Sequence, residues 1–150
     1  MNDTSVTEQV NMIKNRKNLL LWYTGDEPDG TSDPLNATSN ARALINSLDG
    51  GGYHPVSLVL NCEDYFFTQY TSGADIVMQD VYPLGINGTF SVVYHTPCNE
   101  TFGVCGCDDC VGDFADITNR MDVFKERLEV LGETYTKPVW AVPQAFGAAQ

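Results

Sequence analysis

At 150 residues and 43% apolar content, the chain is long enough for one domain with a buried core. Its 20 acids against 8 bases give a formal charge of −12, which argues against electrostatic binding to nucleic acid or to an anionic membrane and suits a neutral or cationic ligand, carbohydrate being the commonest neutral polymer. No apolar run approaches the roughly 18 residues of a membrane span, and the polar stretch from Met1 to Lys17 lacks the apolar centre of a signal peptide.

Taken in order, the residues predict a helix over 5–18, with Val6, Val10 and Ile13 at helical spacing, and then a strand over 19–24. That apolar run, Leu19-Leu20-Leu21-Trp22-Tyr23, has the near-continuous hydrophobicity of a buried parallel strand and ends in Asp26-Glu27-Pro28. Turn-forming pairs fill 28–39, and Thr38 or Ser39 is placed to cap a helix through Leu48 with Ala41, Leu44, Ile45 and Leu48 on one face. Asp49 and three glycines stop it. A second strand over 55–60 ends at Asn61, a short aromatic helix over 62–72 follows, and a third strand over 74–78 runs into Gln79-Asp80-Val81-Tyr82-Pro83. Residues 84–112 break the rhythm and are read as an insertion, with a short strand at 90–94 and a cysteine-rich loop. An amphipathic helix over 113–132 carries Phe114, Ile117, Met121, Phe124, Leu128 and Leu131, and a fourth strand over 137–142 ends at Pro143-Gln144.

Helices alternating with strands imply right-handed parallel crossovers, an α/β fold of about four parallel strands within one domain over 1–150. With a leading helix that no strand precedes and no helix after Gln144, the pattern reads as part of a longer chain whose leader lies elsewhere. The glycosylation pattern Asn-x-Thr recurs at Asn2, Asn36, Asn87 and Asn99, which points to an extracellular, secreted protein. Cys98, Cys105, Cys107 and Cys110 crowd one Gly-rich, acidic loop. They would suit zinc, but beside the sequons they favour two disulfides, with Cys62 free or paired elsewhere. Neither His54 nor His95 has the companions of a metal site, and no cofactor is called for.

Leu21-Trp-Tyr-Thr-Gly-Asp-Glu-Pro28 resembles the fourth-strand motif of (β/α)8-barrel glycoside hydrolases, in which an apolar strand delivers a Glu acid/base. The segment from Asp75 to Pro83 is similar to a sixth strand of such TIM barrels and that from Pro138 to Gln144 to a seventh, which leaves the one from His54 to Asn61 as the fifth. The nearest likeness is to fungal secreted glycosidase-like proteins, with the chain spanning strands four to seven. The resemblance implies a partial barrel that needs its missing strands, or self-association, to cover its edges. It departs from the family at Gln144, an amide where retaining enzymes carry a nucleophilic carboxylate.

On this reading Glu27 is the proton donor, Asp26 modulates it, and Asp80 is the second carboxylate. The adjacent Asp26-Glu27 pair also resembles that of hexosaminidase-type families, in which the substrate's own acetamido group attacks. Asn61, Tyr82 and Gln144 would meet sugar hydroxyls, and Trp140 or Tyr23 would stack on a sugar ring, against the plainer expectation of core packing for Trp22, Trp140, Phe66 and Phe67. Pro28 biases Glu27 to an extended backbone. The competing functions are a non-catalytic carbohydrate-binding or structural barrel remnant, and an interaction module built on the cysteine loop.

Overall fold

The structure, a computed structural model, describes residues 2–30, 33–61, 66–82, 90–91, 95–97 and 114–145. Helix α1 (Asp3–Ile13) leads into strand β1 (Trp22–Asp26), α2 (Ala37–Leu48), β2 (Val56–Leu60), α3 (Phe67–Thr71) and β3 (Ile76–Gln79). A two-stranded antiparallel ribbon, β4 (Phe90–Ser91) with β5 (Thr96–Pro97), precedes α4 (Ala115–Val130) and β6 (Val139–Ala141). Strands β1, β2, β3 and β6 form one parallel sheet in that order, so that each strand lies beside its predecessor with a helix in the crossover. The alternation expected from the sequence is therefore present as an α/β fold of four parallel strands.

The helices lie on one face. Val56 and Trp22 pack with Val10 of α1 and Ile45 of α2, and Leu58, Leu60 and Val77 pack with Phe67 and Tyr70 of α3 and with Phe124 and Leu128 of α4. Alternation along the strands sends Val59, Ile76 and Met78 to the opposite face, where Leu21 and Val142 join them. Every residue of β2 is buried, as a central parallel strand requires.

Four local expectations are corrected. Helix α2 starts at Ala37 with Asn36 as its N-cap residue, so Thr38 and Ser39 lie inside the first turn. Thr38 Oγ1 donates instead to the Tyr70 carbonyl at 2.7 Å, tying α2 to α3, and Ser39 donates to Asn36 at 3.0 Å. On α4 Phe124 and Leu128 are buried as expected and Leu131 packs against the core, but in the first half Asp116 and Arg120 are buried while Ile117 and Met121 are only half-buried and Phe114 is exposed. Phe66 and Trp140, expected in the core, are 59% and 41% exposed, while Trp22 and Phe67 are buried. Phe67 meets Phe124 edge-on at 5.2 Å between ring centres, and Arg127 covers its other side.

A buried polar knot closes the amino end of the sheet. Asp49 Oδ2 accepts from Trp22 Nε1 at 2.7 Å, from the His54 backbone N–H at 3.3 Å and from the His54 ring Nδ1 at 2.8 Å. Burial alone would raise the Asp49 pKa, but the hydrogen bonds from Trp22 and His54 outweigh it and hold the carboxyl below its ordinary value. The knot's contribution is therefore present above pH 3.8 and is lost as the pH falls through the depressed folded value. Asp49→Ala strands the Trp22 and His54 donors and is expected to cost about 2–3 kcal/mol in urea unfolding at pH 7, shrinking in acid. A cost that does not vary between pH 7 and pH 3 would show that the carboxylate is not what holds this end.

Candidate active site

The sheet's carboxyl end collects the acids. Register between β1 and β2 slips between Tyr23 and Asp26, where β1 carries an extra residue. The bulge brings Tyr23 and Asp26 to one side, and the Tyr23 hydroxyl donates to Asp26 Oδ1 at 2.5 Å. The chain then turns sharply. Glu27 has φ +47°, the left-handed region, in place of the extended backbone that a following proline favours. Such a residue costs about 1 kcal/mol. It is held by its own backbone: the Glu27 N–H donates to the Val59 carbonyl at 3.1 Å, and its carbonyl accepts from the Gly30 N–H at 3.0 Å. The turn is what frees Asp26 and Glu27 from the opposite-facing alternation of a regular strand.

Asp80 follows β3 directly and is 2% exposed. Its carboxyl is pushed up to about 8, first by burial, then by contact with the Glu27 carboxyl and by the charges of Glu27, Asp26 and Asp29. Oδ1 of Asp80 is sealed from solvent with no hydrogen-bond donor facing it among the described residues, a setting that suits a neutral carboxylic acid and penalises a carboxylate. Tyr82 is pushed up to about 12 by burial and then by the negative field of Asp80, Glu27 and Asp26. Tyr23 is raised by burial, by its bond to Asp26 and, more weakly, by Asp80 and Tyr82. These mutual effects define one cluster: Tyr23, Asp26, Glu27, Asp80 and Tyr82.

Glu27, Asp26, Asp80 and Tyr82 thus act on one another, and within the Glu27–Asp80 pair it is the Asp80 carboxyl that is raised. The other sequence candidates are placed along the sheet and at its ends. Asn61 is buried at the end of β2, where its N–H donates to Asp29 Oδ1 at 2.9 Å and its side-chain amide packs under Gly30; a Cβ at position 30 would sit 3.0 Å from the Asn61 Nδ2. Trp140 pairs in register with Met78, on the face away from the helices, at the edge of the sheet. Tyr23 occupies the same face at the opposite edge, in register with Ser57. Gln144 lies just beyond β6, half-buried. Cys62, Cys98, Cys105, Cys107, Cys110, Asn87 and Asn99 fall outside the described residues. Asn2 caps α1, accepting from the Ser5 N–H at 3.2 Å, and like Asn36 it is exposed. Among the described residues no three acids, histidines or cysteines are grouped to hold a metal ion, and no helix is long and apolar enough to cross a membrane.

Two supporting residues escape a sequence reading. Asp29 looks like ordinary turn chemistry before Gly30, yet it is buried, anchors the end of β2 and adds to the field on Asp80. Gln79 folds its side chain back so that Oε1 accepts from the Val81 N–H at 2.8 Å, fixing the backbone on both sides of Asp80. A glutamine inside an otherwise apolar parallel strand was the available signal.

Comparison with protein-family models, with curated proteins and with solved structures returned no match.

Proposed function

We propose that the chain is a glycoside hydrolase-like catalytic segment of a partial (β/α)8 barrel, acting on a carbohydrate through the Glu27–Asp80 pair. Strands in sequential order with the helices on one face support the barrel reading, since barrels keep their catalytic groups at the carboxyl ends of such strands. The observation that carries the function is the buried Asp80 carboxyl, kept protonated near neutral pH against Glu27. General acid cleavage needs a carboxyl that still holds a proton at working pH, and burial beside a second carboxylate supplies one. Glu27, less buried than Asp80, would deliver the shared proton to the leaving oxygen. Asp26, exposed and anchored by Tyr23, would orient or stabilise the reacting sugar.

The contact between Glu27 and Asp80 bears on the stereochemical route. Retaining enzymes set their two carboxyls about 5–5.5 Å apart and inverting ones about 6.5–9.5 Å apart. A hydrogen-bonded pair is closer than either, so Glu27 and Asp80 act as a single acid and do not flank the scissile bond. That favours the substrate-assisted route for the Asp26-Glu27 pair, which needs no carboxylate at Gln144. The sequons, with Asn2 and Asn36 exposed, support a secreted glycoprotein whose 84–112 excursion is disulfide-stapled. A second reading, a carbohydrate-binding barrel remnant without turnover, is favoured by Gln144 alone.

The test is Glu27→Gln, assayed for cleavage and for binding of a panel of soluble glycans in whatever assembly the chain forms. The expected result is a loss of about 10²–10⁴ in turnover with binding retained. Binding without cleavage by the unsubstituted protein supports the non-catalytic reading, and neither binding nor cleavage contradicts both.

A further inference from the structure

The other end of the sheet carries a cavity of about 660 Å³, lined by Lys14, Arg16, Lys17, Asp49, Tyr53 and His54 among others. Its charge runs against that of the molecule. Three of the chain's eight bases fall within residues 14–17. Of the other five, three are matched with acids: Arg42 with Asp75 at 2.5 Å, Lys125 with Asp122 at 2.9 Å and Lys137 with Glu133 at 2.9 Å. Among the described residues no carboxylate lies in ion-pair range of Lys14, Arg16 or Lys17. Lys14 Nζ donates to the Leu48 carbonyl at 2.8 Å, which fixes one wall, while Arg16 and Lys17 stand exposed at the mouth.

The floor is rigid. Asp49 holds the His54 ring by Nδ1, and both residues line the cavity. Tyr53, 79% exposed, stands edge-on to that ring at 4.7 Å and presents a flat face. The one lining carboxylate, Asp49, has its Oδ2 occupied by Trp22 and His54. The acidic cluster is remote: β2 alone, at ~3.3 Å per residue, spans about 17 Å, or roughly two Debye lengths at physiological salt.

We propose that this amino-end cavity is a second ligand site, taking a small organic phosphate whose anionic group meets Arg16 and Lys17 and whose body lies against Tyr53. A guanidinium and an ammonium supply the charged donors a phosphate dianion needs. The cavity falls within the several-hundred-Å³ range of small-molecule pockets and is far larger than a bare phosphate ion requires. The site is independent of the carboxyl-end chemistry and stands or falls separately.

Titrating the full chain with phenyl phosphate, inorganic phosphate and acetate, and following backbone amides by heteronuclear NMR, tests this. Saturable shifts confined to Asn15, Lys17, Gly50, Tyr53 and His54 are expected, tightest for phenyl phosphate and weakest for acetate. Affinity should fall at least tenfold in the Arg16→Gln/Lys17→Gln double variant, both positions being exposed, with an unchanged melting temperature. Shifts that do not saturate, that are equal for acetate, or that persist in the double variant would overturn the proposal.

Discussion

Asp80→Asn is expected to stabilise the protein at pH 8 and to leave its stability nearly unchanged at pH 4. The Asp80 carboxyl has an ordinary value of 3.8 when the chain is unfolded and about 8 when it is folded. Between those values the folded state binds the extra proton, so stability falls as the pH rises from about 4 to 8. Below pH 3.8 both states are protonated and nothing is lost. Asparagine carries no charge to bury, and its amide still donates to Glu27, so the variant escapes this loss. A tenfold change in proton affinity is worth about 1.4 kcal/mol, and a gain of roughly 2–4 kcal/mol at pH 8 is expected, seen as a melting temperature higher by about 5–10 °C. A variant that is less stable than the parent at pH 8 would mean that Asp80 is ionised and well solvated there.

Gly73→Ala should be the most damaging small substitution in the fold. A Cβ at position 73 would lie 2.2 Å from the Thr38 carbonyl carbon and 2.4 Å from the Ser39 nitrogen. Those are backbone atoms in the first turn of α2, which cannot rotate away as a side chain does. Relief requires α2 to back off the turn after α3, breaking the Thr38–Tyr70 hydrogen bond and opening the core behind Tyr70. Overpacking against fixed backbone costs about 3 kcal/mol or more. Urea unfolding measures it directly. A change below about 1 kcal/mol would show that α2 and the α3–β3 turn are not locked by this approach.

How far the residues announced the fold depended on whether apolar periodicity or local hydrogen bonding decided each element. The parallel strands were legible because their runs are apolar on both faces, as in Val56-Ser-Leu-Val-Leu60. Their edges were not: Leu19 and Leu20 belong to the apolar run but precede β1, and Leu20 is 69% exposed. On α4 the expected stripe held at Phe124, Leu128 and Leu131, but hydrophobicity hid the burial of Asp116 and Arg120, charged and spaced one helical turn apart, beside the half-buried Ile117 and Met121. At the site, the acids at strand ends were visible as residues. Their geometry was hidden in a bulge and a left-handed Glu27, which tertiary pairing with Val59 imposes against the local preference set by Pro28. The buried setting of Asp80 was equally invisible, since it depends on Gln79 and Asp29 turning their side chains to the backbone around it.

The most direct test of the carboxyl-end site is a ¹³C NMR titration of the Asp80 side-chain carboxyl in the parent protein and in Glu27→Gln. Asp80 is expected to titrate near pH 8 in the parent and to move toward the ordinary carboxylate range in Glu27→Gln. A parent Asp80 that titrates near pH 4, or one that Glu27→Gln leaves in place, would contradict the shared proton on which the proposed acid chemistry rests.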